Sequence, residues 1–388
     1  MKQLISFLCL VGLCSSIGWA QDHKVLHKRM LVVDGHNDVI IESVLPGRDI
    51  GQRLQKGHTD IPRLIEGGVD VQVFAVWSDD KQWKKGAFQH ANDQIDALND
   101  VIRRNPDRIA LAQSSQDIEQ IHQQGKIAAL IGIEGGNMIE SSLSNLEALY
   151  QRGARYLTLT WNYNLPWATA AAIEDRKKPS RQRGLSKKGR AIIRKMNELG
   201  MMVDLSHGSK RLFYDVLEVS TRPILVSHSN AAALTPHFRN LDDQQLVALK
   251  KNGGVIGVNF YSGFLDSLYE TKVKDLYAKH VGGASGGMSV SKQYGALTKE
   301  QQYQANAPLS LLIDHIDYLV QHVGIDHVAI GSDFDGIEAP PQDLEDVSQF
   351  PNLTKALLAR GYSEHAIAKI MGLNFLRILR ANEPDVVN

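Results

Sequence analysis

Residues 127–136 read "IAALIGIEGG": an unbroken apolar run that stops at a carboxylate, Glu134, followed by two glycines. A strand with one wet face alternates apolar and polar residues, whereas a strand buried on both faces reads apolar throughout, as in a parallel sheet covered by helices. Burying the acid at its end is costly unless a cation or strong donors answer it. The stretch therefore predicts a central parallel strand that delivers a carboxylate to a metal. The competing reading is an acid that reaches solvent or pairs with Arg155.

Seven further segments share this form: "LVVDGHND" (31–38), "VDVQVFAVW" (69–77), "ARYLTLTW" (154–161), "MMVDLSH" (201–207), "PILVSHS" (223–229), "GVIGVNFY" (254–261) and "HVAIGSDFDG" (327–336). Between them lie helix-period segments such as "ANDQIDALNDVIRRNP", "PLSLLIDHIDYLVQHVG" and "GLSKKGRAIIRKMNELG". In the last, Ser186 caps the start, Ile192, Met196 and Leu199 share a face, and Gly200 closes the end. Eight strand–helix units predict an α/β fold, a single (β/α)8 TIM-type barrel, over an open doubly wound sheet. Residues 264–306 exceed what one crossover needs and are assigned to a flap or a dimer contact.

The chain has 388 residues with 43 basic and 43 acidic side chains, so its charge gives no reason to expect nucleic acid or an anionic membrane as partner. Residues 1–20 carry Lys2, the apolar run "LISFLCLVGLC" and the small residues "SSIGWA", the pattern of a signal peptide cut after Ala20. Export to the periplasm or the medium is expected, with residues 21–388 forming the barrel domain. Cys9 and Cys14, the two cysteines, both fall in the leader, so disulfides and thiolate ligands are not expected in the mature protein. No apolar tail follows "RILRANEPDVVN", and no membrane anchor is expected.

The polar residues gather at the C-terminal ends of the predicted strands, which in a barrel converge on one mouth. His36 and Asp38 are two apart, so an extended backbone points both to one side. Glu134, His207 and His228 complete a set of three histidines and two carboxylates without cysteine, which suits zinc in a hydrolytic site. Five ligands exceed what one catalytic zinc takes, so two ions fit better, with Glu134 bridging them. Asp333 is the candidate proton carrier or cation clamp, and Asp335 is assigned to the turn before Gly336. His58, His90, His122 and His237 are assigned surface or structural roles.

Taken in order from about residue 31 to about 351, the motifs "VDGHND", "EGG", "RYLTLTWN" with "PWA", "MNELGMMVDLSH", "SHSNA" with "RN", "VNFY", "SDFDG" and "LEDVSQFP" resemble the membrane (renal) dipeptidase family of zinc peptidases. The resemblance implies a barrel holding two zinc ions per subunit, with His36, Asp38, Glu134, His207 and His228 at the ligand positions. It implies that Asp333 holds the substrate's free amine and moves protons, that Arg239 binds its terminal carboxylate, and that the protein is a homodimer. Dipeptides are the implied substrates, cleaved by a hydroxide held between the ions, with acceptance of L-D pairs left open. Tyr261, closing "VNFY", joins the expected substrate contacts. Family members from animals carry a histidine after "LTLT" where this chain has Trp161; either Tyr163 supplies a donor instead or that contribution to the oxyanion is missing, and both Trp161 and Tyr163 are expected beside the substrate. The rival readings are another two-zinc hydrolase acting on a lactone, amide or β-lactam, and an inactive zinc-binding protein.

Overall fold

The computed structural model describes residues 23–79, 81–174, 184–282 and 288–384; the expected signal peptide lies outside the described residues. All eight expected strands form, together with a ninth. They are β1 (Val33–Asn37), β2 (Val71–Trp77), β3 (Ile109–Leu111), β4 (Ile127–Glu134), β5 (Ala154–Thr158), β6 (Met202–Asp204), β7 (Leu225–Ser229), β8 (Val255–Val258) and β9 (Val328–Ile330). The order is β1-β2-β4-β5-β6-β7-β8-β9, and every pairing is parallel. The unanticipated β3 pairs only with the first residues of β4, from Ile109↔Ile127 to Leu111↔Ala129, below the point where β5 takes over that edge.

The sheet rolls into a barrel rather than lying open. Asn37 bridges Phe334, the Asp38 amide donates to the Phe334 carbonyl at 2.9 Å, and the Asp333 amide donates to the His36 carbonyl at 3.1 Å. Beneath this seam the buried Asp34 carboxylate accepts from the Ser332 amide (2.8 Å), the Ser332 hydroxyl (2.7 Å) and Gln72 Nε2 (3.0 Å). The two edge strands are therefore clasped by side chains where the backbone ladder is thin.

Alternation along β4 fixes which side chains enter the barrel. Ala128 and Leu130 join an inner cluster with Val71, Val73, Met202, Leu225, Val255 and Ala329. Ala129, Ile131 and Ile133 instead pack outward in the main cluster with helix residues such as Ile95, Leu146 and Ile192. Glu134 is in phase with the inner set, so the same periodicity that fills the barrel with apolar side chains places a carboxylate at its C-terminal mouth. Phe375, Leu376, Ile378 and Leu379, from the helix Asn374–Asn382, complete the inner cluster.

The helix Lys187–Leu199 forms as its sequence predicts: the Ser186 side chain accepts from the Gly189 amide, Ile192 and Met196 are buried, and Gly200 ends it at φ 82°. The described residues between 262 and 306 include the helices Ser262–Leu265, Tyr269–His280, Val290–Gly295 and Lys299–Ala305. Tyr269, Val273, Tyr294 and Ala305 form a small core of their own with Ala339, packed against Tyr261 at the mouth.

One buried histidine sets an acid limit on stability. His315 Nδ1 accepts from the Ala231 amide and Nε2 donates to the Leu265 carbonyl, each at 3.2 Å, tying two mouth loops to the helix Leu309–Val323. Burial pushes its pKa down to about 4, despite the Leu265 carbonyl. A depressed histidine pKa means that the unfolded chain takes the proton first, so this contribution is intact above about pH 6.5 and is lost between there and about pH 4. The expected loss is about 3 kcal/mol. Urea titrations of wild type and His315→Gln at pH 7, 5.5 and 4 measure it: the variant is expected to start less stable at pH 7 and to lack this part of the acid slope.

Candidate metal centre

The five ligand candidates and Asp333 come together at the mouth, and all are at least nine-tenths buried. His36 and Asp38 leave the end of β1, Glu134 ends β4, His207 follows β6, His228 lies in β7 and Asp333 follows β9. Their atoms form three overlapping groups, each compact enough for a metal ion: His36, Asp38 and Glu134; Glu134, His207 and His228; His36, His228 and Asp333.

The Glu134 carboxylate faces two ways. Its Oε1 lies 2.8 Å from His207 Nε2 and 3.5 Å from His228 Nε2, while its Oε2 lies 3.4 Å from His36 Nε2. His36 Nε2 is in turn 3.5 Å from Asp38 Oδ2 and 3.9 Å from Asp333 Oδ1. Arg155, the partner that would have given Glu134 a purely structural role, is instead bound to the carbonyls of Gln113, Tyr150 and Ala154.

Each histidine is held by its other nitrogen. His36 Nδ1 meets the Tyr156 hydroxyl at 2.8 Å, His207 Nδ1 meets Asn162 Oδ1 at 3.2 Å, and His228 Nδ1 meets the Ser227 hydroxyl at 2.8 Å. Tyr156 and Ser227 give their own protons to the Gly35 carbonyl and the Asp204 carboxylate, so these contacts assign the histidine protons to Nδ1. Three Nε2 lone pairs then converge on the mouth, facing carboxylate oxygens and, for His207 and His228, each other at 3.1 Å. His36 Nε2 and Asp38 Oδ1 are buried with no hydrogen-bond partner among the described residues. Such a convergence of lone pairs calls for a cation, and the donor set fits one or two zinc-like ions.

The electrostatics agree. Burial and the Arg239 charge take His207 down to about 4, and burial with His36 and Arg239 takes His228 well below its ordinary value, so both stay neutral, the ligating form. Burial opposes ionisation of Glu134, but the three histidines outweigh it and hold its pKa well below the usual carboxylate range. For His36, burial opposes charging, yet Tyr156, Glu134 and Asp38 together raise its pKa well above normal. A proton or a cation must fill that place, and uptake of a cation releases the proton.

Glycines make the room. A Cβ at Gly132 would lie 2.0 Å from Tyr156 Cζ, so only glycine lets that ring cross β4 to reach His36. A Cβ at Gly336 would lie 2.2 Å from Asp38 Oδ2 and 2.6 Å from Asp333 Oδ1. Gly336→Ala is therefore expected to push both carboxylates out of place and to weaken metal uptake by about 10- to 100-fold, the range seen when residues supporting a ligand are lost. Metal titration of the variant against a chelator checks it.

A cavity of about 400 Å³ opens onto the centre, lined by Trp77, Trp161, Asn162, Arg239, Tyr261, Phe264 and Asp333 among others. Arg239 is buried. Its Nε donates to the Ser206 carbonyl (2.8 Å) and its Nη2 to that of His228 (3.0 Å), which fixes the guanidinium plane, and burial lowers its pKa to about 10. Asp333 accepts from Asn259 Nδ2 at 2.8 Å; burial, with Asp38 and Glu134 close by, pushes it up to about 8 against the pull of His36 and Arg239. Both Asp333 and Asp335 hold left-handed backbone, at φ 63° and 65°. A larger open groove of about 1090 Å³ shares only Arg239 with this cavity and contains none of the five ligand candidates.

Two expectations shift at the rim. Trp161 lines the cavity, edge-on to Trp77 at 4.9 Å, but Tyr163 does not: its ring packs on the Trp161 ring at 5.9 Å, with Lys81 Nζ 4.4 Å from its centre. The polar group that does reach the cavity from this loop is Asn162, in a bend just past the end of β5. Asp335 supports the loop at His58, taking the His58 amide at 2.8 Å on Oδ1 while its own amide donates to His58 Nδ1 at 2.9 Å. His90 stacks on Trp83, His122 pairs with Asp70, and His237 packs on Phe264, all away from the centre.

A parallel barrel whose strand ends gather three histidines and two carboxylates defines a metal-dependent hydrolase of the metallopeptidase kind. Residues 20–385 match the model of the membrane dipeptidase family, peptidase family M19, and the chain belongs to that family. It is 32% identical over 369 residues to the dipeptidase tcpJ of Claviceps purpurea, covering 90% of this chain and 76% of the relative. Its fold superimposes on the probable dipeptidase PvdM from Pseudomonas aeruginosa with a TM-score of 0.78 at 27% identity, covering 94% of this chain and 98% of that one. It also matches a metallopeptidase from Rhodobacter sphaeroides liganded with a phosphinate mimic of the dipeptide L-Ala-D-Ala, at TM-score 0.74 and 26% identity over 91% of this chain and 99% of that one. Among the described residues, no helix is long and apolar enough to cross a membrane.

Proposed function

We propose that the protein is a dipeptidase that uses two zinc ions to cleave the peptide bond of free dipeptides. The observation that carries this is the two-faced Glu134 carboxylate, with one oxygen toward His207 and His228 and the other toward His36 and Asp38, below a cavity that holds both Arg239 and Asp333. His36 and Asp38 would hold one ion, His207 and His228 the other, and Glu134 both. Zinc in such a site supplies Lewis acidity and a nucleophile from water at neutral pH.

The chain's own residues select and orient. Arg239, with its plane fixed by two carbonyls, takes the terminal carboxylate; Asp333, steered by Asn259, takes the free amine and carries the proton to the departing nitrogen. A dipeptide satisfies both charges at once, and a longer or blocked peptide leaves one unpaired. A neutral lactone has no use for that pair of clamps, which disfavours the other two-zinc hydrolases. The dipeptide mimic held by the Rhodobacter sphaeroides relative supports the substrate class and makes L-D dipeptides the first stereochemistry to try.

The test is hydrolysis of Gly-Leu, Leu-Leu, L-Ala-D-Ala and an N-acetylated control by the zinc-loaded and the chelated protein. Metal-dependent cleavage of the free dipeptides is expected, with the acetylated control spared. Zinc uptake without cleavage of any dipeptide would refute the substrate assignment. On the N-terminal pattern the protein is further proposed to be exported, and on the family resemblance to be dimeric; N-terminal sequencing of the mature protein and its sedimentation check these.

A further inference from the structure

Metal ligation by a histidine depends on which ring nitrogen carries the proton, and at His228 that choice is made two residues away from the ion. Asp204, the last residue of β6, is fully buried and lines neither the cavity nor the groove. Its Oδ1 accepts from the Ser227 amide (2.8 Å), the Ser206 hydroxyl (3.0 Å) and the Ser206 amide (3.2 Å). Its Oδ2 accepts from the Ser227 hydroxyl (2.7 Å) and from the Thr158 hydroxyl. Five donors from three strands and their ends thus hold one carboxylate.

We propose that Asp204, acting through Ser227, is the positioning residue that sets the His228 tautomer and with it the metal affinity of the His207–His228 side of the centre. This rests on the reading of the site as a metal centre. The Ser227 hydroxyl has one proton, and the carboxylate takes it because a charged acceptor makes the stronger bond. Its oxygen is then left to accept from His228 Nδ1, 2.8 Å away, so Nε2 is bare and faces His207 Nε2 at 3.1 Å and Glu134 Oε1 at 3.5 Å, two ligand atoms that only a shared cation reconciles with a bare nitrogen. The His228 backbone is held in place as well, since the Ser206 hydroxyl accepts from the His228 amide at 2.9 Å and the Arg239 guanidinium holds the His228 carbonyl. The close approach of β7 to its neighbours fixes the rest: a Cβ at Gly257 or Gly331 would lie 2.1 or 1.8 Å from the Ser227 carbonyl oxygen, so both glycines leave that backbone its place.

Asp204→Asn separates relay from scaffold. With Oδ1 committed to two backbone amides, the new amide nitrogen must face Ser227 and Thr158 and donate to them. The Ser227 proton then turns to His228 Nδ1, the ring proton moves to Nε2, and the lone pair meant for the metal is gone. Thr158→Val removes another partner of the same carboxylate but leaves the relay intact. Zinc affinity by chelator competition and Tm of the chelated protein are measured for wild type and both variants. Asp204→Asn is expected to weaken one of two zinc sites by about 10- to 100-fold. Thr158→Val is expected to lower Tm while leaving both affinities unchanged. If Asp204→Asn does not fold, Ser227→Ala carries the same expectation of one weakened site. Unchanged zinc affinity in Asp204→Asn, or an equal weakening in Thr158→Val, overturns the relay alone. Failure of the wild type to take up zinc overturns the metal centre itself.

Discussion

Glu134→Gln is expected to abolish turnover while leaving the barrel folded. The glutamine side chain has nearly the same volume, so the β4 strand and its neighbours keep their packing. What changes is charge and lone pairs at one point: an amide nitrogen replaces one of two oxygens that face different ligand groups. An amide N–H cannot ligate and would face either His36 Nε2 or the pair of Nε2 atoms across the mouth. One ion of the two is therefore expected to be lost. Dipeptide kcat/KM should fall by more than about 10³-fold, beyond the 10- to 100-fold of residues that only support a ligand. Metal analysis of the purified variant, beside steady-state kinetics, reads both effects. Two ions retained with near-wild-type turnover would remove Glu134 from the bridging position.

The position of Glu134 was legible because a strand buried on both faces leaves no other reason for an acid in its phase. His36, His207, His228 and Asp333 are legible for the same reason: each interrupts an apolar run at its C-terminal end, and the ends of parallel strands meet on one side of a barrel. The supporting residues are not legible this way. Tyr156 reads as one more apolar member of "RYLTLTW", and nothing near it in the chain says that its hydroxyl reaches His36 on β1. The available signal is Gly132, an unexplained gap in the inner face of β4 that matches the Tyr156 ring in space. Asp204 likewise reads as the start of a loop in "VDLSH", although its partners sit on β5 and β7. Strand β3 was missed because its three residues pair only with the start of β4, and so short a run has no period to detect. Tyr163 was placed beside the substrate on its chemistry alone: past the end of β5 the chain bends at "WNY", so no strand period says which of these side chains enters the cavity, and it is Trp161 and Asn162 that line it while Tyr163 turns back onto Trp161.

Asp333→Asn separates recognition of the amine from metal binding. The carboxylate is within 3.9 Å of His36 Nε2, but His36 retains Asp38 and Glu134 as nearer neighbours, so the variant is expected to keep both ions. Asn259 Nδ2 now donates to Asp333 Oδ2 at 2.8 Å, and the asparagine oxygen can take that bond in its place. The carboxylate proposed to meet a substrate ammonium is gone, however, and with it the group proposed to carry a proton. A site built around a buried polar partner rejects an analogue lacking that partner by about 10⁴-fold, so the wild type is expected to prefer a free dipeptide over its N-acetylated form by that order. In Asp333→Asn the preference should shrink to about tenfold or less, chiefly through loss of turnover of the free dipeptide, because general acid–base groups contribute about 10²- to 10⁴-fold. The ratio of kcat/KM for the two substrates, measured on metal-replete protein, is the deciding quantity. A ratio that stays at the wild-type value would place the amine against another carboxylate of the cavity, and Asp335 and Glu338, which also line it, would be the next to replace.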